Sequence, residues 1–85
     1  MIQFTRLVKV GGRLREFNFR KLQNRDKELF HVNVCNERGD RFVFDMMKKE
    51  NNWMIDSEAP TWVIQNENDL GAAIEDELKS GDWAH

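Results

Sequence analysis

The sequence predicts an α+β domain, a five-stranded antiparallel β-meander curled around one C-terminal α-helix. Three observations predict it. Apolar residues recur at a spacing of two in successive short runs, at Phe17 and Phe19, at Phe30, Val32 and Val34, at Phe42, Phe44 and Met46, and at Trp53 and Ile55. That is the period of a strand with one buried face. Turn-forming residues separate the runs. After Pro60 the period changes, and Leu70, Ala73, Ile74 and Leu78 fall on one face of a helix.

The segment from Met1 to Val10 alternates apolar and polar residues and ends at Gly11-Gly12. Both glycines tolerate the positive φ that two-residue hairpin turns require. Pairing Val10 with Arg13 sets Phe4 opposite Phe19 and Val8 opposite Arg15. A loop over Gln23 to Asp26 leads to the third run, in a register that places Phe19 across from Phe30 and Phe17 across from Val32. At Glu37-Arg38-Gly39-Asp40 the apolar pattern selects the turn. A two-residue Arg38-Gly39 turn would oppose Cys35 to Phe42 and send the phenylalanines to the wrong face, because a one-residue slip flips every side chain. A three-residue loop with Gly39 as the left-handed bulge residue instead opposes Val34 to Phe42, Val32 to Phe44 and Phe30 to Met46. The turn from Lys49 to Asn52 then aligns Met46 with Ile55. The expected strands are 2–10, 13–22, 28–36, 41–48 and 52–56.

Ser57-Glu58-Ala59-Pro60 interrupts the sheet. Thr61-Trp62-Val63-Ile64 reads either as a helical turn after Pro60 or as a brief sixth strand, the turn being the better fit. Asn66 or Asn68 caps the helix that follows, acidic residues occupy its first turn, and Ser80-Gly81 ends it. Its apolar stripe is too narrow to cover five strands, which assigns Trp62 and Trp83 to extend the lid.

At 85 residues the chain supports a single domain, 1–85, with one core. A hydrophobic fraction of 40% and a charged fraction of 33% describe a folded, soluble globule. One cysteine, Cys35, forms no internal disulfide and fits a reducing, cytoplasmic setting. No apolar stretch has the form of a signal peptide or the length of a membrane span, so no membrane association is expected.

A net charge of -2 hides a gradient. Residues 1–27 carry 8 basic and 2 acidic side chains, 8 - 2 = +6, whereas residues 57–85 carry 1 basic and 7 acidic ones, 1 - 7 = -6. Such separation serves a nucleic-acid face, association between copies, or a basic hairpin docked near an acidic helix within one molecule. Lys9, Arg13, Arg15, Arg20 and Lys21 lie on or beside the first two strands. They are the candidate nucleic-acid contacts, since cations beside aromatic rings hold a single-stranded backbone while its bases stack. Strand alternation directs Phe17 and Phe19 into the core, which leaves Trp62 or Trp83 as the aromatic platform.

Alternation also defines the sheet face turned away from the helix. Leu7, Leu29, Val43, Met47 and Met54 make it more apolar than exposure to water requires, and they form the candidate self-association face of a homodimer. No catalytic constellation is legible. His31 and Cys35 on one extended strand lie about 13 Å apart, too far to share a zinc ion or a proton. Asp76-Glu77 reads as a solvated helix face, and Gly11-Gly12 precedes a strand rather than the helix of a phosphate loop. Neither a cofactor nor a metal is expected.

The order of antiparallel strands followed by one helix resembles the repeat of the PUR and Whirly single-stranded nucleic-acid-binding proteins, a likeness of topology that carries over no motif residue. The stretch from Trp53-Met54-Ile55-Asp56 through Ala59-Pro60-Thr61-Trp62-Val63 is similar to small uncharacterised bacterial proteins with a tryptophan strand, a Pro-x-Trp turn and an acidic helix. The expected function is a small non-enzymatic binding or self-association module for a protein partner. The alternative is single-stranded nucleic-acid binding through the basic hairpin.

Overall fold

A computed structural model of the chain describes residues 2–23 and 27–80. Five strands, β1 (Gln3–Val10), β2 (Arg13–Leu22), β3 (Leu29–Cys35), β4 (Arg41–Lys49) and β5 (Asn52–Ile55), form one antiparallel sheet in sequence order. The sheet curls into a half-barrel, and the helices α1 (Thr61–Ile64) and α2 (Glu67–Ser80) close its concave side. The segment after Pro60 is therefore the helical turn. The expected helix stop at Gly81, the lid residue Trp83 and His85 lie outside the described residues, as does the loop centre at 24–26.

Local chemistry sets the turns. Gly11 and Gly12 hold φ of 57° and 83°, and Val10 pairs with Arg13 as the two-residue turn demands. Gly39 holds φ of 85° in the loop before β4, where Asn36 Oδ1 accepts the backbone N–H groups of Arg38 and Asp40, each at 2.9 Å. That loop gives the expected register, with Val34 opposite Phe42, Val32 opposite Phe44 and Phe30 opposite Met46. Met46 likewise meets Ile55 across β4 and β5.

One register differs from expectation. Phe17 faces Val34 and Phe19 faces Val32, while Phe30 faces Lys21. The shift is two residues, so every side chain keeps its face. It matches like with like on the outer surface: Leu22 stands opposite Leu29, and Asn18 opposite Asn33, whose amides hydrogen-bond at 3.1 Å. The expected register would have set Leu22 against Lys27 and required a tighter connection.

The core lies between the concave sheet face and the helices. Phe17, Phe30, Val32, Val34, Met46, Val63, Leu70 and Ile74 are fully buried, and Phe19 and Phe44 nearly so. Ile55, Trp62 and Leu78 pack against them half-buried. Trp62 meets Phe42 edge-on, with ring centroids 5.8 Å apart. Gly71 is a helix-interior glycine with a packing reason. A Cβ there would sit 3.0 Å from Trp53 Cβ, so α2 approaches β5 more closely than any side chain at this position allows without displacement.

Candidate functional site

Strand register divides the convex face into cross-strand rows. Leu22, Leu29, Met47 and Met54 stand side by side across β2, β3, β4 and β5, an apolar row at one end of the sheet. Beside it, His31 Nδ1 lies 2.9 Å from Asp45 Oδ1. Next comes a polar ladder, in which Thr5 donates to Asn18 at 2.7 Å, Asn18 to Asn33, and Arg41 to the same Asn33 oxygen at 3.2 Å. The structure thus brings together three of the five expected apolar residues, Leu29, Met47 and Met54, and adds Leu22. Val43 stands opposite Asn33, and Leu7 lies on β1 opposite Glu16, both separated from the row by polar side chains.

The basic residues do not share a face. Lys9 and Arg20 are exposed on the convex side, whereas Arg13, Arg15 and Lys21 alternate to the concave side. Two of them converge on one carboxylate: Arg13 Nη1 and Arg15 Nη2 approach Glu37 Oε1 at 2.8 and 3.1 Å. They line a groove of about 390 Å³ with Arg38, Val10 and the half-buried Trp62. The aromatic partner comes from α1, which the strand pattern alone did not place beside the hairpin tip.

Part of the charge gradient is used inside the molecule. Arg6 ion-pairs with Asp76 and lies 3.7 Å from Glu77, tying β1 to α2. Lys48 Nζ lies 2.8 Å from Glu75 Oε1, which also accepts the Trp53 indole N–H at 3.0 Å. The hydrogen bond from Lys48, with that from Trp53, holds the Glu75 carboxyl below its ordinary 4.5 against the opposing effect of burial. The same bond to Glu75 raises Lys48 above 10.5. A depressed carboxyl contributes stability that is complete above 4.5 and lost as pH falls through its folded-state value. A raised ammonium contributes stability that is complete below 10.5 and lost as pH climbs through its folded-state value. Glu75→Gln is therefore expected to lower the urea midpoint at neutral pH, with the gap from wild type closing as both proteins are acidified. An equal gap at neutral and strongly acidic pH would contradict the linkage.

The two sheet edges are treated differently. On β5 the Asp56 N–H donates to the Asp45 carbonyl at 2.8 Å, which turns the Ile55 amide outward. There the Glu67 carboxylate accepts it at 2.8 Å, so α2 caps the C-terminal end of this edge. On β1 the hairpin makes the even-numbered residues exchange hydrogen bonds with β2, as the 2.9 Å bond from Lys21 N–H to the Ile2 carbonyl shows. The N–H and C=O groups of Gln3, Thr5, Leu7 and Lys9 point away from the sheet and have no partner among the described residues. A groove of about 360 Å³ runs beside this edge, with Asp69, Ala72 and Asp76 of α2 on its far side.

Among the described residues no three His, Cys, Asp or Glu side chains converge on a metal position, and no helix is long and apolar enough to cross a membrane. Comparison with protein-family models, curated proteins and solved structures finds no match to this chain.

Proposed function

We propose that the protein is a non-enzymatic binding module that self-associates by pairing the β1 edges of two copies. One observation carries this reading: Glu67 caps β5 at Ile55, whereas β1 leaves four successive edge-facing residues with backbone groups unpaired among the described residues. An open edge of this kind is a template for another strand. A second copy is the occupant that fits. The strand carries no acid, and with Arg6 already paired to Asp76 in its own molecule, Lys9 is the cation left beside a groove whose far wall includes Asp69. A two-fold axis at Leu7 would pair Leu7 with its own copy and Thr5 with Lys9, for about six main-chain hydrogen bonds. The neighbouring axis at Arg6 would oppose two arginines directly, which cross-strand like charges disfavour.

Backbone pairing is nearly indifferent to salt, unlike docking by surface charges. Sedimentation equilibrium is expected to give twice the monomer mass at both low and high salt. A monomer in both buffers would overturn the reading, and a dimer lost only in salt would transfer it to the charge gradient.

The alternative, single-stranded nucleic-acid binding, is supported by Arg13, Arg15 and Trp62 meeting in one groove. Since Lys9 and Arg20 face the other way, this reading contracts from a strand-long track to the hairpin tip. A salt-dependent mobility shift of a labelled oligonucleotide tests it.

A further inference from the structure

We infer that the groove at the β1–β2 hairpin tip binds a phosphate monoester carrying a planar aromatic ring, a single nucleotide unit, and that Glu37 holds the phosphate position in its absence. This deepens the nucleic-acid reading and is independent of β1 pairing.

Arg13 and Arg15 are two residues apart on β2 and so project to the same side. Their guanidinium groups already grip one carboxylate oxygen, at 2.8 and 3.1 Å, which is the geometry in which paired arginines hold an oxyanion. Glu37 is a weak occupant: its side chain is 57% exposed, and exposed ion pairs contribute little. It sits on a turn that Asn36 fixes through two backbone hydrogen bonds, so the carboxylate can swing aside without the turn giving way. A phosphate brings more charge and three strong acceptor oxygens, enough to satisfy both arginines together with Arg38, whose guanidinium has no partner among the described residues. Three guanidinium groups against one carboxylate, 3 - 1 = +2, make the groove positive on a chain whose net charge is -2.

The remaining walls select what the phosphate carries. Val10 and Trp62 are apolar, and Phe42 braces the Trp62 indole edge-on at 5.8 Å. A rigid indole beside an anion subsite favours a flat ring over an aliphatic chain. The groove volume of about 390 Å³ suits one nucleotide rather than an extended strand.

The test is an NMR titration of the full chain with adenosine 5′-monophosphate, following the Trp62 indole N–H and the Arg13 and Arg15 side-chain signals, with inorganic phosphate and adenosine as separate probes. The nucleotide is expected to saturate and to move all three. Arg13→Gln should weaken it about tenfold without touching the fold, since that side chain is 70% exposed. Glu37→Gln should tighten it severalfold by removing the competing carboxylate. No saturation in either wild type or Glu37→Gln would overturn the inference, as would an Arg13→Gln variant that binds like wild type. Inorganic phosphate binding as tightly as the nucleotide would overturn the role of Trp62. An oligonucleotide that competes only when 5′-phosphorylated identifies a strand end as the source, and failure of both forms to compete identifies the free nucleotide. A dimer that ignores the nucleotide defeats this inference alone, whereas a monomer that binds it defeats only the edge pairing.

Discussion

Phe30→Ala is expected to cost about 3 to 5 kcal/mol, a large fraction of the stability a domain of this size holds. Phe30 is fully buried in the middle strand, and its ring meets Phe4 at 5.8 Å and Trp53 at 5.3 Å, both edge-on. It therefore joins the two ends of the curled sheet, β1 and β5, through one side chain. Truncation removes the ring and leaves a cavity that those two neighbours cannot both fill, because each is held by its own strand. Urea denaturation followed by tryptophan fluorescence measures the loss. A change below about 1 kcal/mol would mean that the half-barrel does not close on Phe30.

Gly71→Val is expected to cost about 1 to 3 kcal/mol through overpacking. Glycine within a helix is ordinarily a loss of up to about 1 kcal/mol against alanine, so its presence at the centre of the α2 contact with β5 needs compensation. The compensation is proximity. With a Cβ only 3.0 Å from Trp53 Cβ, Gly71→Ala sets the propensity gain against a forced shift of a few tenths of an ångström, and the two nearly cancel. Valine adds a branch at the very atom that already presses on Trp53. A shift would carry Trp53 with it, and with Trp53 its indole hydrogen bond to Glu75. Thermal melts of the two variants side by side test this, and a valine variant as stable as wild type would show that the helix can lift away freely.

The fold was legible because strand periodicity and turn chemistry agreed. Gly39 could be assigned its left-handed conformation from the apolar pattern on either side, since only a three-residue loop kept Phe42 and Phe44 on the same face as Val32 and Val34. The β2–β3 register was off by two because period-two alternation is blind to even shifts, and the sequence between Leu22 and Leu29 carries no glycine pair or other motif that fixes a loop length. Pairings on the outer face, Leu22 with Leu29 and Asn18 with Asn33, held the missing information.

The binding surfaces were less legible. Listing convex-face hydrophobes by alternation identified Leu29, Met47 and Met54 but could not tell that Thr5, Asn18, Asn33 and Arg41 form a polar ladder between them and Leu7. Counting basic residues on one hairpin likewise hid that successive residues point to opposite faces. Edge protection is a three-dimensional property. That Glu67 reaches the Ile55 amide while β1 stays open depends on where α2 crosses the sheet, which no local pattern encodes.

The most direct test of self-association through β1 compares two proline variants of adjacent residues. The Leu7 N–H points to the open edge, so Leu7→Pro removes only a donor that the monomer does not use, and edge strands accept proline at such positions. Val8 belongs to the set that bonds β2, so Val8→Pro breaks the sheet and should unfold the protein. Sedimentation equilibrium and far-ultraviolet circular dichroism on both variants, with Leu7→Lys as the milder edge change, give the decisive readout. The expected result is a folded monomer for Leu7→Pro and Leu7→Lys, an unfolded chain for Val8→Pro, and a dimer for wild type. A wild-type dimer that survives in folded Leu7→Pro would contradict β1 pairing and move the interface elsewhere on the molecule.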